Sequence, residues 1–188
     1  GDPLAPRHWR HVVYITEDVD QASRILAGIV KHGDMGIDLA AVRERLHIVE
    51  ARRLQPSNVA EVARTYREQF TRTIEGVEVL PLVVFDTKSA ILVMEEENSN
   101  TEASAIMAML KQKFQGLPVW LVGHVAKASL SRTNVAEISM RGGSAFEADA
   151  HQVLYLVSET DGTRYIVRGK TRFEAEWPEL QIESRSAH

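Results

Sequence analysis

Four runs in this chain, within WRHVVYITED, RLHIVEARRL, VEVLPLVVFDT and LPVWLVGHVAK, carry aliphatic and β-branched residues at consecutive positions rather than alternate ones. A strand apolar on both faces needs cover on both faces, and that arrangement belongs mainly to parallel sheets under helices. Helical-period segments lie between the runs. VDQASRILAGIVKHGD places Ala22, Ile25, Leu26 and Ile29 on one face and has Gly33 as its stop. PSNVAEVARTYREQF opens on Pro56, with Ser57 as the expected cap, and aligns Val59, Val62, Ala63, Tyr66 and Phe70. TEASAIMAMLKQKFQG is predicted as a helix ended by Gly116, and RGGSAFEADA as a short one. HQVLYLVSETDGTRYIVRGKTRF predicts a hairpin turning at Asp161-Gly162. The expected fold is α/β: one domain over residues 1–188, a mostly parallel sheet flanked by helices, with an antiparallel hairpin added at the C-terminal end.

The totals narrow the class. A chain of 188 residues is long enough for a well-buried core. It has no cysteine, which excludes disulfides, thiolate metal sites and cysteine nucleophiles and fits a cytoplasmic setting. No apolar run approaches the roughly 18 residues of a membrane span. The net charge of −4 confines any DNA contact to a loop or to a surface built by assembly.

In open parallel sheets, ligands bind beyond the carboxyl ends of the strands. The first run ends at Glu17-Asp18, the third at Asp86-Thr87 and the fourth at Gly123-His124. A carboxylate there can hold Mg²⁺ or orient water, and a histidine can donate to a phosphate oxygen. Any one of them alone marks no more than the point where burial stops; three together, each after an apolar run, favour a site. Other motifs fail. Gly169-Lys170-Thr171 copies the tail of a phosphate-binding loop, but Arg164 stands where its first glycine belongs and no helix follows. GGSAF has Phe146 in place of the last glycine of a nucleophile elbow. HWRH sets two histidines three apart without a third ligand and reads as a solvated terminus. MEEENSN reads as a solvated acidic loop.

The succession VVYITED, LVVFDT, EEENSN, LVGHVAK, RGGSAFEADA and GKTRF resembles the RecA-type ATPase core of the RepA and DnaB-like hexameric helicases and the related plasmid and phage ATPases. The resemblance runs from Trp9 to Phe173. It implies ATP and Mg²⁺ as cofactors, with Glu17 activating the attacking water and Asp86, next to Thr87, holding Mg²⁺ through water. It implies His124 as the sensor of the γ-phosphate. Lys170 and Arg172 match a Lys-x-Arg pair that reaches the nucleotide of a neighbouring subunit; on a strand, alternate residues share a face. The stretch from Ala126 to Met140 corresponds to a loop facing a central channel, which makes Lys127, Arg132 and the adjoining Arg141 the candidates for contact with single-stranded DNA. The family's phosphate-binding loop lies upstream of the Glu17 strand, where only sixteen residues stand here, so the expectation is a core truncated on its N-terminal side and unable alone to bind ATP tightly. The expected function of the intact protein is the Mg-dependent ATPase motor of a ring-forming, hexameric DNA helicase in replication or plasmid and phage maintenance. The alternative is a non-catalytic DNA-maintenance or regulatory module on the same sheet.

Overall fold

The structure is a computed structural model and describes residues 8–32, 38–52, 54–96, 99–125, 144–159, 161–172 and 179–182. Its elements are β1 (Val12–Thr16), α1 (Val19–His32), α2 (Leu39–Arg45), β2 (Leu46–Glu50), α3 (Pro56–Phe70), β3 (Arg72–Ile74), β4 (Val77–Val79), β5 (Leu82–Asp86), α4 (Lys88–Ile91), α5 (Asn100–Lys113), β6 (Val119–Leu121), α6 (Ala145–Asp149), β7 (Gln152–Ser158), β8 (Arg164–Thr171) and β9 (Glu179–Ile182). The chain divides into two units, Gly1–Val93 with Ala108–Gly123, and Met94–Met107 with His124–His188.

In the first unit the four apolar runs form one sheet of order β2-β1-β5-β6, and every neighbouring pair is parallel. Val13, Ile15, Val83 and Phe85 lie on one face and are sealed from solvent. Burying side chains of this size stabilises by about 1.5–3 kcal/mol each. Val59 and Ala63 of α3 are buried as the periodicity requires, and Phe114 meets Phe85 edge-on at 5.7 Å. α1 departs from expectation: Ile25 and Ile29, expected in the core, are 55% and 44% exposed.

Local chemistry sets the element ends. The cap of α3 is Gln55, not Ser57; Pro56 occupies the first turn, where its missing N–H costs nothing. Asp38 caps α2, a helix the sequence reading did not foresee, by accepting from the Ala40 amide at 2.9 Å. Gly116 stops the helical segment as expected, with φ of 81°. The run VEVLPLVVFDT divides in two. Val77–Val79 turns back on Arg72–Ile74 through Glu75-Gly76, both at positive φ, while Pro81 separates this hairpin from β5.

In the second unit the expected hairpin is present, with Gly162 at φ 87° and the Thr163 amide donating to Asp161 Oδ1 at 2.9 Å. It gains a third strand, β9, and the order β7-β8-β9 makes a separate antiparallel sheet rather than an extension of the parallel one. β7 is apolar at successive positions yet only alternately buried. Val153, Tyr155 and Val157 form a core with Val167, while Leu154 and Leu156 face outward.

This sheet explains the glycine of the Gly-Lys-Thr triplet. A Cβ on Gly169 would overlap the ring of Tyr155, itself 7% exposed in that core. Gly169→Ala therefore forces an aromatic ring out of place and is expected to destabilise by about 1–3 kcal/mol, the usual scale of overpacking. A thermal melt of the variant measures this; an unchanged midpoint would mean that the ring yields without cost.

The second histidine of HWRH does not behave as part of a solvated terminus. His11 is 4% exposed directly before β1, and its Nδ1 lies 3.0 Å from His47 Nε2 on β2. His47 stacks on Phe70 at 4.0 Å, and Arg45 lies over the Trp9 ring at 4.2 Å. Burial first, then the positive charge of Arg72, lowers the affinity of both histidines for a proton. At His11, His47 and Arg45 act in the same sense and Glu44 opposes them. The unfolded chain therefore takes up these protons more readily than the folded one. Stability is full above the ordinary histidine value of about 6.5 and falls as the pH drops below it. Melting temperatures taken from pH 7.5 to 5 are expected to decline, and His47→Leu to flatten that decline; a parallel decline in the variant overturns the assignment.

Candidate active site

β1 and β5 run in step, Val12 opposite Leu82 and Thr16 opposite Asp86, so both end on one line at the carboxyl edge of the sheet. Glu17 follows at once. Its Oε2 accepts from the Thr87 amide at 3.2 Å, which brings the two acidic strand ends together. The main chain at Glu17 is fixed from the other side: its carbonyl accepts from Arg52 Nε at 3.3 Å and Nη2 at 2.9 Å. Asp18 is spent on structure, its Oδ1 accepting from the Gln21 amide at 2.9 Å as α1 begins. The hydroxyl of Tyr14 donates to Asp86 Oδ2. Burial, that hydrogen bond and the charges of Asp86 and Glu17 push the Tyr14 phenol far above its ordinary value. The peptide between Asp86 and Thr87 is cis, and Thr87 Oγ1 lies 3.4 Å from Ser89 Oγ.

Two residues of this edge escaped the sequence reading. Tyr14 reads as one more core aromatic in an apolar strand. Lys88, the first residue of α4, is 2% exposed, and its amide donates to the Val122 carbonyl at 2.9 Å. A lysine directly after a polar strand end in an otherwise apolar segment is the signal that could have drawn notice to it, since a buried ammonium needs compensation.

The remaining candidates belong to the second unit or fall outside the described residues. His124 is exposed, three residues beyond β6, which ends at Leu121 rather than at Gly123-His124. Lys170 and Arg172 do share a face. Lys170 Nζ donates to the Ala148 carbonyl, and Arg172 Nη2 donates to the same oxygen at 3.2 Å. Both cations thus sit at the C-terminal end of α6, where a helix presents unpaired carbonyls. Lys127, Arg132 and Arg141 lie outside the described residues. A cavity of about 400 Å³, lined by Val12, Leu26, Asp38, Ala41, Val42, Arg45 and Leu46, opens at the amino ends of β1 and β2, not at the carboxylates.

The family model described as AAA domain matches residues 1–129, more than half of the chain, and spans both acidic strand ends. The chain belongs to the AAA domain family. No curated protein matches it. As an AAA domain it is a nucleotide-binding, ATPase-like module, and its parallel sheet with flanking helices is the α/β, RecA-like architecture the strand pattern called for. The donor set at the carboxyl edge suits the Mg²⁺ that normally accompanies such a nucleotide. This ion keeps most of its waters and takes one or two carboxylates together with phosphate oxygens, so it needs no protein cage. Among the described residues of this AAA domain there is no cluster of three or more His, Asp or Glu side chains that would form one. No described helix is long and apolar enough to cross a membrane.

Proposed function

We propose that this AAA domain is the ATP-hydrolysing core of a ring-forming motor on DNA, a helicase of the RepA or DnaB-like kind serving replication or plasmid maintenance in the cytoplasm. The observation that carries this reading is the pairing of Glu17 with the Asp86-Thr87 strand end on the edge where open parallel sheets take their ligands. ATP and Mg²⁺, when bound, supply the β–γ phosphoanhydride and the charge that polarises it. Asp86, aided by the neighbouring Thr87 hydroxyl, would hold the ion through water. Glu17, oriented by the Thr87 amide, takes the proton of the attacking water as the new oxygen–phosphorus bond forms and the β–γ bond breaks. His124 reads the γ-phosphate state. Lys170 and Arg172 stabilise the charge that develops on the transferred group of a neighbouring copy, the logic of an arginine finger. Single-stranded DNA in the ring channel meets Lys127, Arg132 and Arg141. The test is ATP hydrolysis by the full-length protein, expected to need Mg²⁺ and to rise with single-stranded DNA; Mg-dependent hydrolysis indifferent to DNA overturns the motor reading.

One observation favours a second reading, a non-catalytic DNA-maintenance or regulatory module. Lys170 and Arg172 already have an acceptor in their own chain, the Ala148 carbonyl, so the pair has a structural use without any nucleotide. Full-length protein that binds DNA but turns over no ATP would select it.

A further inference from the structure

Tyr14 is the one hydroxyl-bearing aromatic in a strand whose other middle positions are Val13 and Ile15, and its phenol goes to the carboxylate that the ATPase reading places nearest the metal. The register accounts for the contact. Tyr14 is opposite Val84 and Thr16 opposite Asp86, so Tyr14, Thr16, Val84 and Asp86 share one face of the sheet, and a tyrosine is long enough to reach the residue diagonal to it. The phenol also feels the charge of Glu17.

A carboxylate at a strand end turns freely about its last bond, and either oxygen can then face a ligand. A donor fixed on Oδ2 stops that rotation and leaves the other oxygen as the acceptor for metal-bound water. We propose that Tyr14 is a positioning residue of the site: it holds Asp86 by one oxygen so that the other is presented to the metal side. This rests on the ATPase reading above. The plain alternative is that a half-buried phenol needs some acceptor and Asp86 is the one at hand, in which case the pair serves folding alone.

The two roles move different observables. In the full-length protein, Tyr14→Phe keeps the ring and removes the donor. The Mg²⁺ concentration giving half the maximal ATPase rate is expected to rise about tenfold and kcat to fall about tenfold, the scale of one hydrogen bond to a charged group. KM for ATP and the melting temperature are expected to stay near wild type. A lowered melting temperature with wild-type Mg²⁺ dependence and kcat overturns the proposal. Glu17→Gln run alongside separates the two levels. If wild type hydrolyses ATP with Mg²⁺, Glu17→Gln does not, and Tyr14→Phe matches wild type, Tyr14 loses its role and the ATPase reading stands. If wild type shows no Mg-dependent turnover, both fall. Should Tyr14→Phe fail to fold, 4-fluorophenylalanine at position 14 fills the volume of the hydroxyl without donating. The same rise in the Mg²⁺ requirement and fall in kcat are then expected, and wild-type values of both overturn the proposal.

Discussion

Replacing Arg172 by alanine is expected to lower ATP hydrolysis by about 10³-fold, the scale of a missing arginine finger, while the fold survives. The fold survives because Arg172 is an exposed residue just past β8. Its own amide still donates to the His151 carbonyl at 2.9 Å in the variant, and Lys170 still reaches the Ala148 carbonyl. What is lost is a cation that, in the proposed ring, would leave α6 for the nucleotide of the next subunit. Mixing separates action within a subunit from action across the interface. Arg172→Ala and Glu17→Gln proteins, each inactive alone, form mixed rings in which some interfaces keep an intact Glu17 on one side and an intact Arg172 on the other. Activity is expected to return in part. If mixed rings form and none returns, the pair belongs to α6 and to nothing else.

Glu17→Gln alone is expected to keep ATP binding and to cost about 10²-fold or more in turnover. The amide is nearly isosteric, and its oxygen can still accept from the Thr87 N–H, so the strand end stays in place. It cannot take a proton from water. Rapid-quench measurements of kcat beside equilibrium binding of ATP distinguish this from a folding defect. An unchanged kcat removes Glu17 from the mechanism, and a loss of binding in step with turnover makes it a structural residue.

The parallel sheet was legible because a strand buried on both faces leaves a trace in composition that no turn or surface helix imitates. Glu17 and Asp86 were legible because each ends such a strand. Tyr14 was not, because its role depends on β1 and β5 running in step, a relation between residues 72 apart. The His11–His47 pair was hidden in the same way, by a separation of 36. The division of VEVLPLVVFDT had a local sign, Pro81 inside the run, since proline cannot serve a central ladder. β9 had none: four residues alternating charged or polar with apolar say little until β8 is there to pair with them. α1 carries an amphipathic pattern stronger than its burial, because periodicity reports what a helix could cover and not what lies against it.

The matched lengths of β1 and β5 have a bearing on which sequence changes this protein tolerates. Each strand is five residues long and they begin and end opposite one another. The spacing of the two acidic groups is therefore kept by counting. One residue inserted within either strand would carry its acidic end about 3.3 Å along the axis and turn it to the opposite face. Insertions of any size placed in the connections between α1 and α2 or around the β3–β4 turn leave that count untouched. Relatives of this chain should then vary in loop length as freely as any surface permits, and hardly at all in the two stretches from Val12 to Thr16 and from Leu82 to Asp86.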